Sequence, residues 1–380
     1  MLERVIILNK KYKIAIVGAT GLVGRTILKV LEEKNFKNVE YTLFASQKSE
    51  GKKVNFLHNN YIVKRLDEKS FDEKFDYAIF SAGASTASRF APIAASKGCI
   101  VIDNSSAFRM VDDVPLVVPE VNKEKIFESK GIIANPNCST IQAVIPLKIL
   151  DDKYKIKRII YSTYQAVSGA GKKGLEDLES KENGKFYNNC VPQIDVFLDD
   201  GYTKEEHKMI NETRKILNRP NLPITSTCVR VPVQNCHSES INVEFEKPID
   251  INEIKELMQN SKGVILEDDI ENNIYPLARN VSGKDEVFVG RIRKDYSVEN
   301  GINFWCVGDN LRKGAATNAV QILEELIKIG QLVPGVFWPK IKIGQFSPGT
   351  NWPILLIFYC LFFNSSNNSI ALYIFWSLTM

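Results

Sequence analysis

The chain has 380 residues, with 44% hydrophobic, 25% charged, 49 basic and 45 acidic residues, three His and seven Cys. A formal net charge of +4 is too even for nucleic acid or an acidic membrane to be the main partner. Seven singly placed Cys without a CxxC pair argue against a disulfide scaffold or a zinc ribbon, and a three-His metal site would need His58, His207 and His237 together, so no metal is expected.

A chain of this length suits about two domains, and its Cys usage suits a reducing compartment, so the cytoplasm is expected. Met1–Lys10 has no basic n-region or small-residue cleavage site and reads as an extension before the first strand. Lys13–Val17 (KIAIV) is a short apolar run ending in glycines, which predicts a buried parallel strand. Gly18-Ala-Thr-Gly21-Leu-Val-Gly24 follows, and Thr26–Leu31 continues as an apolar-rich helix. Residues without a Cβ let backbone N–H groups approach a pyrophosphate, and a helix N-terminus adds positive potential; the strand–turn–helix context therefore points to a dinucleotide. Tyr41–Ala45 reads as the second strand. An NAD site usually places an acid near its end for the ribose 2′-OH, but this chain has Ser46-Gln47-Lys48-Ser49. A cation with hydroxyls suits a 2′-phosphate, so NADP is expected.

Tyr77–Phe80, Ile100–Asp103 and Gly131–Ala134 read as further buried strands, followed by SAGAS, NSSAF and NPNCST. This βαβ rhythm predicts a doubly wound sheet. The texture then changes. Lys157–Thr163, Ser240–Glu246, Asp285–Ile292 and Ile302–Val307 resemble half-exposed antiparallel strands, while Glu205–Leu217 and Asn252–Met258 look helical. A second, α+β domain is predicted, with Gly314–Ile329 as a helix ending the body. After Lys342 there is no charged residue. The apolar runs Trp352–Phe363 and Ile370–Leu378 are separated by NSSNNS, and each is shorter than the roughly 20 residues a spanning helix needs. The tail is expected to be foreign to the fold rather than in contact with a membrane, the alternatives being a membrane-associated hairpin and an element packed on the body.

Asn135-Pro136-Asn137-Cys138-Ser139-Thr140 precedes an apolar-rich segment. It places Cys138 at a helix start, where the dipole and free N–H groups favour a thiolate nucleophile. Cys99 and Cys306 lie in apolar runs, as structural cysteines do, and Cys190 and Cys228 fit that reading less clearly. Among the three His, His58 lies in a turn-like HNNY and His207 on a charged helix face. His237 follows Arg230-Val-Pro-Val-Gln-Asn-Cys just before a strand, and is the choice for acid/base partner. Arg230 can pair with a carboxylate in a bidentate fork. Arg109 follows the carboxyl end of a strand, where ligands bind in such sheets, and Lys208 shares a helix face with Glu205.

The ordered set GATGLVG, SAGAS, SSAFRM, NPNCST, QAVSGAG, VPQIDVF, RVPV…HSES and GDNLRKGAATNAVQI, from about Tyr12 to Ile329, resembles the bacterial-type aspartate-semialdehyde dehydrogenase family. The resemblance implies an α/β protein: a Rossmann-type NADP-binding domain over 11–137, completed by helix 314–329, and an α+β catalytic and dimerisation domain with a mixed sheet over 138–310. Residues 334–380 would be an atypical apolar tail outside that fold. It implies NADPH-dependent reductive dephosphorylation of L-4-aspartyl phosphate to L-aspartate 4-semialdehyde through a Cys thioester. That is a step toward diaminopimelate and lysine, threonine, methionine and isoleucine, run by a homodimer or a dimer of dimers. By matching motif, Cys138 would be the nucleophile, His237 the acid/base and Gln165 the group orienting the acyl carbonyl. Arg230 would hold the substrate carboxylate, Glu205 its amino group, and Arg109, Lys208 and Asn137 the phosphate. Gly18, Thr20, Gly21, Leu22, Val23, Lys48, Ser49, Ser168, Gly169 and Asn310 would contact NADP. Lys48 stands where the family often has Arg, which loosens the expected grip on the 2′-phosphate. N-acetyl-glutamyl-phosphate reductases share the fold and the Cys chemistry, but Glu205 suits a free ammonium rather than an acylated nitrogen. A non-catalytic NADP-binding paralogue would have no need to keep Cys138, Gln165, Arg230 and His237 together.

Overall fold

The computed structural model describes residues 11–332, 358–364 and 369–375. The reading of Met1–Lys10 as an extension, and the rest of the tail, lie outside the described residues. Nine strands and helices open the first half. They are β1 (Tyr12–Val17), α1 (Leu22–Lys34), β2 (Val39–Ala45), the hairpin β3 (Lys53–Phe56) and β4 (Asn59–Ile62), β5 (Lys64–Arg65), β6 (Tyr77–Phe80), α2 (Ala84–Ser96) and β7 (Ile100–Asp103). The short α3 (Pro119–Asn122) and β8 (Ile132–Ala134) complete this half.

The first sheet has the order β5-β2-β1-β6-β7-β8, and every pair in it is parallel. β6 is buried throughout, as a strand covered on both faces must be. The chain leaves β1 toward β2 and returns to β6 on the other side of β1. Loops at the carboxyl ends diverge at that reversal and leave a crevice. α2 was not expected: its first turn has no acid and no side-chain cap, and it contains Pro92, so nothing in SAGAS announces a helix.

The second half contains α4 (Cys138–Tyr154), β9 (Ile156–Gln165), α5 (Lys172–Glu179), α6 (Lys204–Ile216), β10 (Ile224–Arg230), β11 (His237–Phe245), α7 (Ile251–Gln259), β12 (Val264–Leu266), α8 (Ala278–Val281), β13 (Val287–Lys294) and β14 (Gly301–Gly308). Its sheet runs β10-β9-β11-β14-β13-β12. The inner pairs are antiparallel, as the alternating strands predict. The two outer pairs, β10 with β9 and β13 with β12, are parallel, so the sheet is mixed. Each parallel pair is joined by a connection that contains a helix, α6 or α8, as a parallel crossover requires. α4 is buried along most of its length and packs in one core with Ile159, Tyr161, Ile241, Val243 and Phe304 of the sheet.

The expected helix over Gly314–Ile329 differs at its start. Arg312–Thr317 is a π-helical turn, and α9 runs Asn318–Leu332. Ala316–Ile327 contribute to the same core as Ile14, Leu31, Leu43 and Ile102, so the end of the body packs on the first sheet. Lys340–Met380 is a separate compact unit in which β15 (Phe358–Asn364) and β16 (Ser369–Phe375) pair as an antiparallel hairpin. No helix among the described residues is long and apolar enough to cross a membrane.

Candidate active site

A cleft of about 560 Å³ opens at the carboxyl ends of the first sheet, walled on its other side by the second domain. Cys138 is the first residue of α4, on the cleft lining. Asn137 caps that helix: its Oδ1 accepts from the N–H groups of Ser139 at 3.0 Å and Thr140 at 3.3 Å. The Asn137 Nδ2 donates to Glu205 Oε1 at 2.9 Å.

Cys138 Sγ lies 3.1 Å from His237 Nε2. The Ala166 N–H donates to His237 Nδ1 at 2.9 Å, so the neutral ring carries its proton on Nε2, facing the sulfur. Burial, with Arg230 adding to it, holds the imidazole well below its ordinary pKa. The Cys138 thiol is pushed up to about 12 by burial and by Glu205, against the pull of Arg230, Arg109 and the Ser139 N–H. This corrects the expectation that the helix start favours a thiolate: desolvation and a nearby carboxylate outweigh the helix terminus. His58 sits in the β3–β4 turn at φ 60, and His207 pairs with Asp200 at 2.7 Å. His237 is the histidine bonded to Cys138.

Gln165 and Arg230 end adjacent strands and pair in register. Both are buried and line the cleft. Arg230 Nη1 donates to the Ala166 carbonyl at 2.7 Å. A Cβ on Gly169 would stand 2.8 Å from Arg230 Nη1 and 3.1 Å from His237 Cε1, so a larger residue there would displace one of the pair. α6 begins with a capping box from Thr203 and Glu206 and presents Glu205 and Lys208 to the cleft. Lys208 Nζ donates to Glu205 Oε2 at 3.0 Å and to Asp195 Oδ2 at 2.9 Å. Arg109, on the loop after β7, is anchored through Nε to the Asn135 carbonyl, Nη2 to the Asn104 carbonyl and Nη1 to Glu212. Arg109, Asn137, Cys138, Gln165, Glu205, Lys208 and Arg230 therefore share one cleft.

Sequence reasoning missed Asp195, Glu212 and Gly314. Asp195 lay inside the quoted VPQIDVF, and Glu212 is two helical turns from Glu205, so spacing was available for both. Gly314 sits in the π-helical turn, where a Cβ would stand 2.9 Å from the Cβ of Cys138; no sequence signal marks such a contact. Cys99, Cys228 and Cys306 are buried, while Cys190 is exposed and so does not share their core role.

Of the residues expected to hold a dinucleotide, Leu22, Val23, Ser168, Gly169 and Asn310 belong to the cleft lining, whereas Gly18, Thr20, Gly21, Lys48 and Ser49 do not. Gly18 has φ 85, and a Cβ there would lie 2.4 Å from the Ser81 carbonyl oxygen. Gly21 is the N-cap of α1 and supplies no side-chain cap, which leaves first-turn N–H groups for an anion. Leu22 and Val23 line the cleft, as do Ser168, Gly169 and Asn310, and Asn310 Nδ2 donates to Ser168 Oγ at 2.9 Å. Thr20 Oγ1 meets Ser49 Oγ at 3.2 Å; Lys48 is exposed beside the buried Ser49. A tight glycine turn and a helix start with no side-chain cap fit a dinucleotide.

Two family models match. "Semialdehyde dehydrogenase, NAD binding domain" matches residues 13–129, and "Semialdehyde dehydrogenase, dimerisation domain" matches 147–313. The chain is 55% identical over 336 residues to an aspartate-semialdehyde dehydrogenase of Aquifex aeolicus, covering 84% of this chain and 99% of that protein. A crystal structure of Vibrio cholerae aspartate semialdehyde dehydrogenase II complexed with ASA superposes with a TM-score of 0.80 at 45% identity, covering 84% of this chain and 99% of that one. The Candida albicans enzyme solved with NADP gives a TM-score of 0.69 at 25% identity, with 85% and 99% covered.

Proposed function

The chain belongs to the aspartate-semialdehyde dehydrogenase family, and from that premise we propose that it reduces L-4-aspartyl phosphate to L-aspartate 4-semialdehyde and phosphate with NADPH, through a thioester on Cys138. The observation that carries this reading is the Cys138–His237 contact of 3.1 Å inside a cleft that also holds Arg230, Glu205, Arg109 and Lys208. Arg230 and Glu205 match the two charged ends of an amino acid, and Arg109 with Lys208 match a dianionic phosphate. In the site, Cys138 Sγ attacks the acyl carbon, the bond from that carbon to the phosphate oxygen breaks, and the phosphate leaves toward the two cations carrying the thiol proton. Gln165, on the cleft lining, is the side-chain donor for the carbonyl oxygen as it gains charge. A bound nicotinamide dinucleotide supplies the hydride that a thioester accepts far more readily than a carboxylate. The His237 Nε2–H faces the sulfur, so it stabilises the thiolate that leaves when the aldehyde is released. Covalent catalysis in this way divides one hard reduction into two easier steps.

Thr20, Gly21, Leu22, Val23, Ser168, Gly169 and Asn310 would hold the dinucleotide, with Lys48 and Ser49 meeting a 2′-phosphate. Lys48→Ala should raise the apparent NADP constant several-fold and leave NAD use little changed; equal loss with both would remove Lys48 from that role. A homodimer is supported by the matched dimerisation domain and by Tyr164, Tyr275 and Leu277, which the second sheet leaves partly exposed around Trp305. The deciding assay follows the reverse reaction, reduction of NADP by aspartate semialdehyde. Strict dependence on inorganic phosphate is expected. Turnover without phosphate, or with N-acetylglutamate semialdehyde instead, would overturn the reading.

A further inference from the structure

We propose that Glu212 is a positioning residue that fixes Arg109 and the Asn137–Cys138 turn as one unit, so that the phosphate subsite and the nucleophile keep a set separation. The proposal rests on the functional reading above. Glu212 lies on α6 and is 1% exposed. Its Oε1 accepts from Arg109 Nη1 at 3.0 Å and its Oε2 from the backbone N–H of Asn137 at 2.6 Å. One carboxylate therefore ties a cation of the phosphate subsite to the residue that precedes the nucleophile.

The anchoring of Arg109 leaves a defined remainder. Nε, Nη1 and Nη2 each spend one hydrogen, on Asn135, Glu212 and Asn104. A guanidinium has five N–H donors, so one on each terminal nitrogen is left for an anion, in an orientation already set. α6 also holds the backbone of that loop: Lys215 Nζ donates to the carbonyls of Arg109 at 2.8 Å, Val111 at 2.7 Å and Val114 at 2.9 Å. Glu205, Lys208, Glu212 and Lys215 recur at spacings of three and four, one face of a helix. Burial raises the Glu212 carboxyl against the pull of Arg109 and the Asn137 N–H.

Charge and geometry make opposite predictions. As a negative charge beside an anion site, Glu212 would weaken phosphate binding, and its neutralisation would tighten it. As a positioning group it strengthens binding. Arg109 and Asn137 use different carboxylate oxygens; an amide at 212 in the same place puts an NH2 donor at one of those positions, so one anchor is lost.

The experiment measures phosphate and semialdehyde constants and kcat for the full chain and for Glu212→Gln, with NADP saturating. It also measures the phosphate concentration that protects Cys138 from iodoacetamide, a readout independent of turnover. Glu212→Gln should raise the phosphate KM and the protecting concentration together by roughly 10- to 100-fold, the scale of a lost charge-assisted hydrogen bond. The semialdehyde KM should stay within about threefold, a split that general loosening of the fold would not give. Glu212→Asp keeps the charge but is one methylene shorter and cannot bridge both groups; it should give at least about a fivefold rise and serves if the Gln variant does not fold. Phosphate constants within twofold of the parent in a folded variant, or a tighter phosphate site, would overturn the proposal. If instead the parent enzyme shows no phosphate-dependent turnover while protection still shifts in the variants, the functional reading fails and the role of Glu212 stands.

Discussion

Cys138 carries two opposed influences, and their balance is testable. The thiol stands at a helix start beside His237, yet burial and Glu205 push it up to about 12. A substrate ammonium on Glu205 would cancel the second influence, so the same residue that recognises the substrate would also release the nucleophile. Glu205→Gln in the free enzyme should therefore speed iodoacetamide alkylation of Cys138 at pH 8 by at least about threefold, equivalent to half a pKa unit. An unchanged or slower rate would show that Glu205 does not restrain the thiol. Cys138→Ser should fold and bind NADP but lose turnover by several orders of magnitude, because a hydroxyl is a far weaker nucleophile at neutral pH; near-parental activity would remove Cys138 from the mechanism. The Cys138–His237 pairing was legible because NPNCST and QNCHSES are polar where a core would be apolar. The direction of the thiol shift was not, since it depends first on burial and then on a carboxylate 67 positions away in sequence, both set by how the two halves pack.

The second sheet illustrates what strand patterning carries and what it hides. Alternation along β11 puts His237, Glu239, Ile241 and Val243 on the buried side, and the inner antiparallel pairs follow from it. β10 and β12 are edge strands that went unread, because short segments at an edge lack a distinctive period. The same alternation buries Glu239, whose two carboxylate oxygens have no hydrogen-bond partner among the described residues. Burial, and then Glu205, raise its pKa well above the ordinary carboxylate value. With the folded value above the unfolded one, its stabilising contribution is complete below the unfolded pKa of about 4.3 and is lost as pH rises toward the folded pKa. Glu239→Gln, close in shape to the protonated acid, should therefore raise Tm over the parent more at pH 8 than at pH 5. A difference that does not vary with pH would show that Glu239 is ionised in the fold.

At the scale of the whole molecule, the apolar cores draw on residues from Tyr12 to Ile327, while Lys340–Met380 forms its own compact unit. Truncation after Leu332 should keep specific activity, leave Tm within a few degrees and increase soluble yield, since runs such as ILLIFYCLFF are uncharged and rich in β-formers. Loss of activity or early unfolding on truncation would show that the body depends on the tail. A second sheet of a different kind was legible from the change in strand texture, and the closing helix from its apolar period. Its π-helical entry was not: a Cβ at Gly314 would stand 2.9 Å from that of Cys138, a contact between distant parts of the chain that no local preference reports. The return of Ala316–Ile327 to the first core has a consequence during synthesis. The strands of the nucleotide sheet end at Ala134, yet one wall of that core arrives only when Ile327 leaves the ribosome, on the order of 10–40 s later at ~5–20 residues per second. The nascent nucleotide domain must wait through that interval with an unclosed apolar flank, and a ribosome stalled before residue 316 would hold a chain that chaperones bind and proteases cut at its first domain, although every strand of that domain has already been made.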